Sequence, residues 1–191
     1  LRRGDRLPDG DRVDFIQHLA ANDAGTIAAA VATSSRVAVV RQPRGGAWEE
    51  VGLTTAGAPP PGQVDTLSLT PSGRIVAMLS GVDQPRSVVV DPDGARRTLA
   101  VDHQLGDTRV SLRPVVVRDE LALVWTSGHT FGRPEERFIV FDTGTGAVRI
   151  ELDAADFAGS EGYLYAIGIG RDGSLLIGES DGFLGGFRHW L

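Results

Sequence analysis

One motif near the end of the chain carries the pattern of a serine nucleophile. Gly178-Glu179-Ser180-Asp181-Gly182 fits G-x-S-x-G, in which a sharp turn between a strand and a helix exposes the serine. Such a serine also needs a histidine base further along the chain. Here Phe183-Leu184-Gly185-Gly186 follows, which is a poor helix, and His189 is the only later histidine. We therefore predict an inter-strand turn at this motif, and no catalytic residue.

A second motif fits the phosphate-binding pattern G-x-G-x-x-G. In Gly168-Ile169-Gly170-Arg171-Asp172-Gly173 the glycines follow an apolar run, as in dinucleotide-binding proteins. That chemistry requires a helix N-terminus to hold the pyrophosphate. The chain continues instead with Ser174-Leu175-Leu176-Ile177, a strand-like run, so the motif predicts a tight turn.

Metal-ligating residues are scattered. The four histidines (His18, His103, His129 and His189) show no pairing at i, i+2 or i, i+4, and cysteine is absent. Asp91-Pro92-Asp93-Gly94 resembles half of a calcium loop but lacks the later carboxylates. We predict no metal and no cofactor.

Composition limits the classes of partner. A net charge of −6 argues against nonspecific nucleic-acid binding, and no apolar stretch approaches the length of a membrane helix. All 19 basic residues are Arg, which is typical of a GC-rich genome, such as a bacterial one. The absence of cysteine leaves the compartment open between the cytoplasm, which we prefer, and an extracellular segment of an anchored protein.

Turn signals repeat about every fifty residues. Gly25, Gly73, Glu120 and Gly173 mark one series, with intervals of 48, 47 and 53 residues. A second, out-of-phase series is formed by the turns 43–46, 91–94 and 142–146. Two interleaved turn series with short β-rich runs between them are typical of stacked four-stranded blades. The predicted fold is therefore all-β, a β-propeller with about four recognisable blades of four-stranded antiparallel sheets.

The predicted blades cover residues 13–53, 64–101, 110–152 and 164–190 of one partial propeller domain, which we expect to be a segment of a larger ring. An alanine-rich helix over Phe15–Ala32 is the alternative, but the turn at Asn22-Asp23-Ala24-Gly25 would break it. Blade four lacks its fourth strand. Leu1–Leu7 could supply it, although its Arg, Gly and Asp residues make a poor strand.

Three segments resemble known propeller repeats. Residues 171–182, followed by Phe187-Arg188-His189-Trp190, resemble a WD40 repeat, although Leu191 stands where that repeat has Asp. Residues 138–148, with the turn Asp142-Thr143-Gly144-Thr145-Gly146, are similar to YVTN and quinoprotein-type propellers, and residues 87–94 to TolB-like repeats. The resemblance implies a scaffold for protein interaction, usually a module in a larger chain. The quinone-binding residues of quinoproteins cannot be mapped, so that activity is not implied.

The long connections fall at one end of the predicted blades. Turns between first and second and between third and fourth strands are short, whereas the other connections include 54–63, 102–108, 126–136 and 153–162. Together with 81–85 these segments contain eight acids against Arg133 alone, a net charge of −7. The acids are Asp83, Asp102, Asp107, Glu135, Glu136, Asp153, Asp156 and Glu161. Long loops converging on one end of a rigid scaffold usually carry binding, so we predict an acidic rim.

The predicted function is non-enzymatic binding or ligand sensing at that rim, with a protein or peptide partner of basic character. Trp125, His129 and Phe131 are the predicted anchors, although the tryptophans Trp48, Trp125 and Trp190 also suit wedging between blades. The predicted binding residues are Asp83, Asp102, His103, Trp125, His129, Phe131, Arg133, Asp153, Asp156 and Glu161. Two alternatives stay open: a structural spacer, and a carbohydrate-binding or enzymatic propeller segment whose catalytic part lies elsewhere. Phe157 near Asp153 and Asp156 is the candidate sugar cluster.

Overall fold

In the computed structural model, every regular element with assigned bounds is a β-strand. The structure describes residues 1–53, 62–80, 86–99, 104–105, 108–109, 111–127, 129–130, 133–134, 136–153, 156–157, 163–170, 173–180 and 187–190. Within these ranges there are nineteen strands and no α-helix, as predicted.

The strands are short, and most are rich in Val, Ile, Leu or Ala. In chain order they are β1 (Phe15–Ala21), β2 (Ile27–Ala32), β3 (Val37–Gln42), β4 (Glu49–Val51), β5 (Gln63–Leu69), β6 (Ile75–Ser80), β7 (Arg86–Val90), β8 (Arg96–Leu99), β9 (Gln104–Leu105), β10 (Thr108–Arg109), β11 (Ser111–Arg118), β12 (Leu121–Ser127), β13 (His129–Thr130), β14 (Arg133–Pro134), β15 (Arg137–Asp142), β16 (Val148–Asp153), β17 (Tyr163–Ile169), β18 (Leu175–Ser180) and β19 (Phe187–Trp190).

Four antiparallel meanders follow one another along the chain. The first sheet is β1-β2-β3-β4, the second β5-β6-β7-β8, the third β11-β12-β15-β16, and the fourth the three strands β17-β18-β19. Two small hairpins, β9–β10 and β13–β14, lie in the connections. The predicted fold class and the succession of meanders are confirmed.

The chain divides into two compact units, Leu1–Leu99 and Ala100–Leu191. The first unit holds the first two sheets and the second unit the last two. The expectation of a single partial propeller domain stays a prediction.

The turns between the first and second strands need left-handed backbone. Gly25, Gly73 and Gly173 have φ of +80°, +84° and +86°, and Asp119 takes this place in the third sheet with φ +50°. Glycine adopts these angles without steric cost, and Asp tolerates them better than most residues. The amides of Gly25 and Gly73 donate to the carbonyls of Asn22 and Thr70, which closes equivalent turns.

In the first unit, the two sheets pack face to face through a core of small and β-branched side chains. Ala28 and Ala30 of the first sheet lie in one cluster with Ile75, Ala77 and other residues of the second. The alternation along β2 therefore puts Ala29 and Val31 on the opposite face of the first sheet.

That opposite face is covered by residues 1–13. This segment folds back on itself, with Leu7 and Val13 donating backbone hydrogen bonds to Asp11 and Asp5. Leu7 and Val13 are buried against Ala29, Val31 and the neighbouring residues of β3. Leu1–Leu7, which the sequence analysis considered as a possible outer strand, contains none of the described strands, and its Leu1 and Leu7 side chains pack on the first sheet.

Arg36 fixes this segment to the sheet. Its guanidinium forms ion pairs with Asp9, Asp11 and Glu50, and its Nε lies 3.3 Å from Asp11 Oδ2. These carboxylates raise the pKa of Arg36 above its ordinary range, and the hydrogen bond that Arg36 donates to Glu50 contributes most. We call residues 1–13 with this ion-pair cluster the N-terminal cap.

In the second unit, the third and fourth sheets share an aromatic core. Phe138 and Val140 pack with Leu164, Ile169 and Ile177, and Trp125 is partly buried against them. This packing positions the candidate site.

The first strand of every sheet contains a register shift. The shifts lie between Ile16 and His18, Val64 and Thr66, Arg113 and Val116, and Ala166 and Gly168. Each inserts an unpaired residue or two into the strand, as a β-bulge does.

Candidate functional site

Each sheet presents two chemically different ends. We call the end with the first–second and third–fourth strand turns the short-turn end. The end with the second–third connections and the links between sheets is the long-loop end.

At the short-turn end, side chains tie each sheet to the next one in the same unit. Asn22 Nδ2 donates to the carbonyl of Thr70 at 2.9 Å, and Arg118 Nη1 to the carbonyl of Ile169 at 3.2 Å. Arg41 Nη2 donates to the carbonyl of Pro92 at 2.8 Å. The bonded residues are 48 and 51 positions apart, so one structural repeat separates donor and acceptor.

Carboxylates at this end are also paired. Asp91, in the turn after β7, accepts from Arg74 Nε at 2.7 Å and forms an ion pair with Arg97. Asp142 pairs with Arg149, and that hydrogen bond lowers the pKa of Asp142 to about 2. The short-turn end is thus held by satisfied polar contacts.

Seven of the predicted rim residues lie outside the described residues: Asp83, Asp102, His103, Asp107, Phe131, Glu135 and Glu161. His129 begins β13 and Arg133 begins β14, so their backbones lie in the hairpin between β12 and β15. The structure places the side chains of Trp125, Asp153 and Asp156.

Asp153 and Asp156 are exposed at the long-loop end of the third sheet. The amide of Asp153 donates to Asp156 Oδ2 at 2.9 Å, which orients the second carboxylate. Phe157 does not stand open beside them, because its ring packs edge-on to Phe138 with centroids 5.9 Å apart. The sugar cluster predicted there thus lacks a freely exposed aromatic face.

Trp125 fills the space between the third and fourth sheets. Its ring lies edge-on to Phe138 at 5.9 Å and to Tyr165 of the next sheet at 6.4 Å. Tyr165 in turn covers Gly178, where an added Cβ would lie 2.5 Å from the tyrosine Cζ. Trp125 therefore acts as a wedge between the sheets. Its indole Nε1 is buried and has no hydrogen-bond partner.

The burial of Glu136 corrects one part of the predicted acidic rim. Glu136 precedes β15 and was counted among the rim acids, but only 3% of its surface is exposed. Burial raises the pKa of its carboxyl group to about 7, because a charged carboxylate is poorly solvated there. Its Oε2 has no hydrogen-bond partner.

Several of the described polar atoms that are buried without a hydrogen-bond partner lie in the long-loop half of the sheets. Trp125 Nε1, Thr126 Oγ1 and Glu136 Oε2 lie there in the second unit, and Ser87 Oγ near the start of β7 in the first. Such groups are uncommon in proteins and call for a bound water, ion or ligand, or for a functional role. Sequence reasoning missed the burial of Glu136, although its spacing of two residues from apolar Phe138 was a signal.

The two glycine-containing motifs lie at the end of a strand and at a turn between strands. Gly178, Glu179 and Ser180 are the last three residues of β18, so the predicted turn cannot begin before residue 181. At Gly168–Gly173, the amide of Gly173 donates to the carbonyl of Gly170 at 3.1 Å. This confirms the tight turn.

Among the residues that the structure describes, no group of three or more His, Asp or Glu side chains could hold a metal ion. Over the same residues, we find no helix with the length and apolar character that crossing a bilayer would require.

Solved structures of peptidases are similar to this arrangement. The β-propeller domain of the trilobed protease from Pyrococcus furiosus has a TM-score of 0.61 and 10% identity, over 95% of this chain and 55% of that one. Acylaminoacyl peptidase from Pyrococcus horikoshii has a TM-score of 0.56 and 11% identity, over 86% and 27%. An acylaminoacyl peptidase in complex with Z-Gly-Gly-Phe-chloromethyl ketone gives 0.51 and 10%, over 93% and 32%.

These similarities define the class as a β-propeller fold. No protein-family model matches the chain, and a search of curated proteins finds no match. The chain spans about half of the trilobed-protease propeller chain and about a quarter to a third of the two peptidases. At 10–11% identity the similarity establishes the fold alone.

Proposed function

We propose that this chain is a non-catalytic binding segment of a β-propeller, which contacts a basic protein or peptide through the long-loop end. The observation that carries the proposal is the contrast between the two ends. Polar groups at the short-turn end are paired, whereas Trp125 Nε1 and Glu136 Oε2 at the long-loop end are buried without partners. Unpaired polar groups lower the free energy of binding when a partner satisfies them.

The distribution of charge also supports binding at the long-loop end. The exposed carboxylates of Asp153 and Asp156 lie there, and the long connections carry a net charge of −7 in the sequence even with Glu136 counted. Since Glu136 is buried, its charge contributes less to long-range attraction than those of the exposed acids. Complementary charge accelerates association with a basic partner and is screened by salt.

A direct test measures the binding of an arginine-rich decapeptide to residues 1–191 as a function of ionic strength. We expect the dissociation constant to rise several-fold between about 50 and 500 mM salt. Replacing Asp153→Asn and Asp156→Asn together should weaken binding further. The matched control, Asp23→Asn with Asp93→Asn, makes the same change of charge at exposed turn residues of the short-turn end and should leave the affinity unchanged.

Equal affinity at all salt concentrations, or equal losses in the two double variants, would refute binding at this end. A pull-down with Phe131→Ala and Arg133→Ala separates binding from a spacer role. Retention of every partner by that variant would favour the spacer.

A second candidate is a propeller segment that serves a peptidase domain encoded elsewhere in a longer protein. It is motivated by the names of the three similar structures, one of which is described as the propeller domain of a protease. The test compares peptidase activity of the protein as it occurs in the cell with that of residues 1–191. Activity only in the natural protein would support this role, and inactivity in both would argue against it.

A further inference from the structure

One apolar strip on the first sheet stays exposed beside the N-terminal cap. Ile16 and Leu19 of β1 are paired in register with Val31 and Ala29 of β2. Directly paired residues of antiparallel strands project from the same face of a sheet. Because the cap is buried against Val31 and Ala29, all four side chains lie on one face, which we call the cap-side face. Ile16 and Leu19 are 37% and 66% exposed there, so the cap leaves the β1 part of this face open.

The second sheet shows what covers the same surface one repeat later. Val64 and Leu67 of β5 are the counterparts of the two exposed residues, 48 positions further along the chain, and a register shift lies at the same place in both strands. Val64 and Leu67 are only 1% and 8% exposed, because they belong to the core shared with the first sheet, where β5 packs against β1 and β2. The cap-side face is therefore the face that packs against another sheet in the following repeat.

The cap takes the place of such a sheet over β2 and β3 alone. The side chains that it covers on these strands are small or β-branched and apolar: Ala29, Val31, Ala38 and Val40. If the cap moved away, they would join the exposed strip of β1 in one apolar face. A surface of this kind packs best on another flat apolar surface, as the first and second sheets do on each other.

We propose that the N-terminal cap is a displaceable cover, and that the cap-side face docks onto the same face of a second copy of this chain. A second copy fits because opening the cap bares an identical apolar face on each molecule, and a twofold axis brings such a face onto itself. The dimer buries the strip that the cap leaves exposed, whereas the monomer keeps the contacts of the cap. The cap-side face is separate from the long-loop end, so the inference does not depend on the proposed function.

The experiment measures the mass of residues 1–191 by sedimentation velocity at increasing protein concentration. Leu7→Asp opens the cap, because it places a charge at a position that is only 4% exposed among apolar side chains. Arg36→Gln opens it by a second and milder route, the loss of the ion pairs. We expect the parent to sediment as a monomer, and both variants to reach twice its mass as concentration rises. Faster tryptic cleavage within residues 1–13 verifies the opening, and circular dichroism verifies that the sheets remain folded.

A charge on the exposed strip distinguishes this dimer from nonspecific association. Leu19→Asp, added to each open-cap variant, should restore the monomer, because it places a carboxylate within the apolar contact. Val148→Asp is the matched control, since it makes the same kind of change at an exposed apolar residue of the third sheet, and it should leave the dimer intact. The chain has no cysteine, so Leu19→Cys in the Leu7→Asp background supplies a single thiol. Its reaction with a maleimide should slow at concentrations that favour the dimer.

Three results would overturn the inference. They are a cap that stays docked in both variants, open-cap variants that remain monomeric, and a dimer that survives Leu19→Asp. A parent chain that already dimerises with its cap in place would also contradict a cover that must first be displaced. Arg36→Gln decides the outcome if Leu7→Asp fails to fold.

Discussion

Asn22 donates a hydrogen bond from its side-chain amide to the backbone carbonyl of Thr70, at the equivalent turn of the next sheet. The same side chain accepts from the amide of Thr26 at 3.0 Å, so it closes its own turn and fastens the following one. One residue therefore links local turn structure to the packing of successive sheets.

Replacing Asn22→Ala should lower the free energy of unfolding by about 1–2 kcal/mol, because both hydrogen bonds are lost. The measurement is chemical denaturation monitored by circular dichroism. Asp23→Ala, an exposed change in the same turn, is the control and should stay within about 0.5 kcal/mol of the parent. A similar loss in both variants would show that the tie to Thr70 contributes nothing.

Glu136 should make stability depend on pH in the direction opposite to that of most carboxylates. Its pKa is raised from an ordinary value of 4.5 to about 7, so the unfolded chain gives up this proton more readily than the folded one. Its contribution is fully present below about pH 4.5 and is lost as pH rises through about 7. The loss is on the order of 3 kcal/mol.

Unfolding of the parent and Glu136→Gln across pH 4 to 8 isolates this contribution as a difference. The variant should match the parent near pH 4 and be more stable by that amount near pH 8. A difference that does not change with pH would contradict the burial of an unpaired carboxyl group at this position.

Arg36 should control the release of the N-terminal cap. Arg36→Gln removes the ion pairs to Asp9, Asp11 and Glu50, although Leu7 and Val13 keep their apolar contacts. We expect faster tryptic cleavage within residues 1–13, where several arginines lie, and a loss of about 1 kcal/mol in stability. Arg149→Gln, an ion-pair variant remote from the cap in sequence, should leave cleavage of the cap unchanged. Unchanged cleavage in Arg36→Gln would mean that apolar packing alone holds the cap.

Gly178 should tolerate no larger side chain. An added Cβ would lie 2.5 Å from Tyr165 Cζ, so Gly178→Ala must displace the tyrosine ring and disturb its contact with Trp125. We expect a loss of about 1–3 kcal/mol and a change in near-ultraviolet circular dichroism. The control is Gly168→Ala, because an added Cβ at Gly168 would meet open space. A glycine with a positive φ, such as Gly94, would not serve as a control, because any side chain there strains the backbone. Equal stability of the two alanine variants would contradict the close packing.

The repeat and the strands could be predicted from sequence because they depend on local signals. Turn glycines such as Gly25 and Gly73 mark strand ends directly, and apolar runs between them have the length of strands. The N-terminal cap could not be predicted in this way. Its Leu7 and Val13 are isolated apolar residues among polar ones, and only the tertiary fold brings them onto Ala29 and Val31.

The candidate site was predictable only in part. Loop lengths indicated the long-loop end, and Asp153 and Asp156 are exposed there as an acidic rim requires. Glu136 is buried, and burial depends on tertiary packing, which a count of charges along the sequence does not include. From sequence, Trp125 was predicted both as a binding anchor and as a wedge between blades. The structure shows the contacts of a wedge, and the anchor role stays a prediction.

The bulges in the first strands have a consequence for solubility. In the described sheets, each of these strands pairs on one side only, which leaves backbone donors and acceptors along its other edge. A straight edge of that kind templates the addition of foreign strands and the growth of fibrils. The β-bulge within each of β1, β5, β11 and β17 interrupts the regular row of backbone hydrogen-bonding groups that an incoming strand would have to match. The bulges therefore oppose the addition of a foreign strand along these edges of the described sheets.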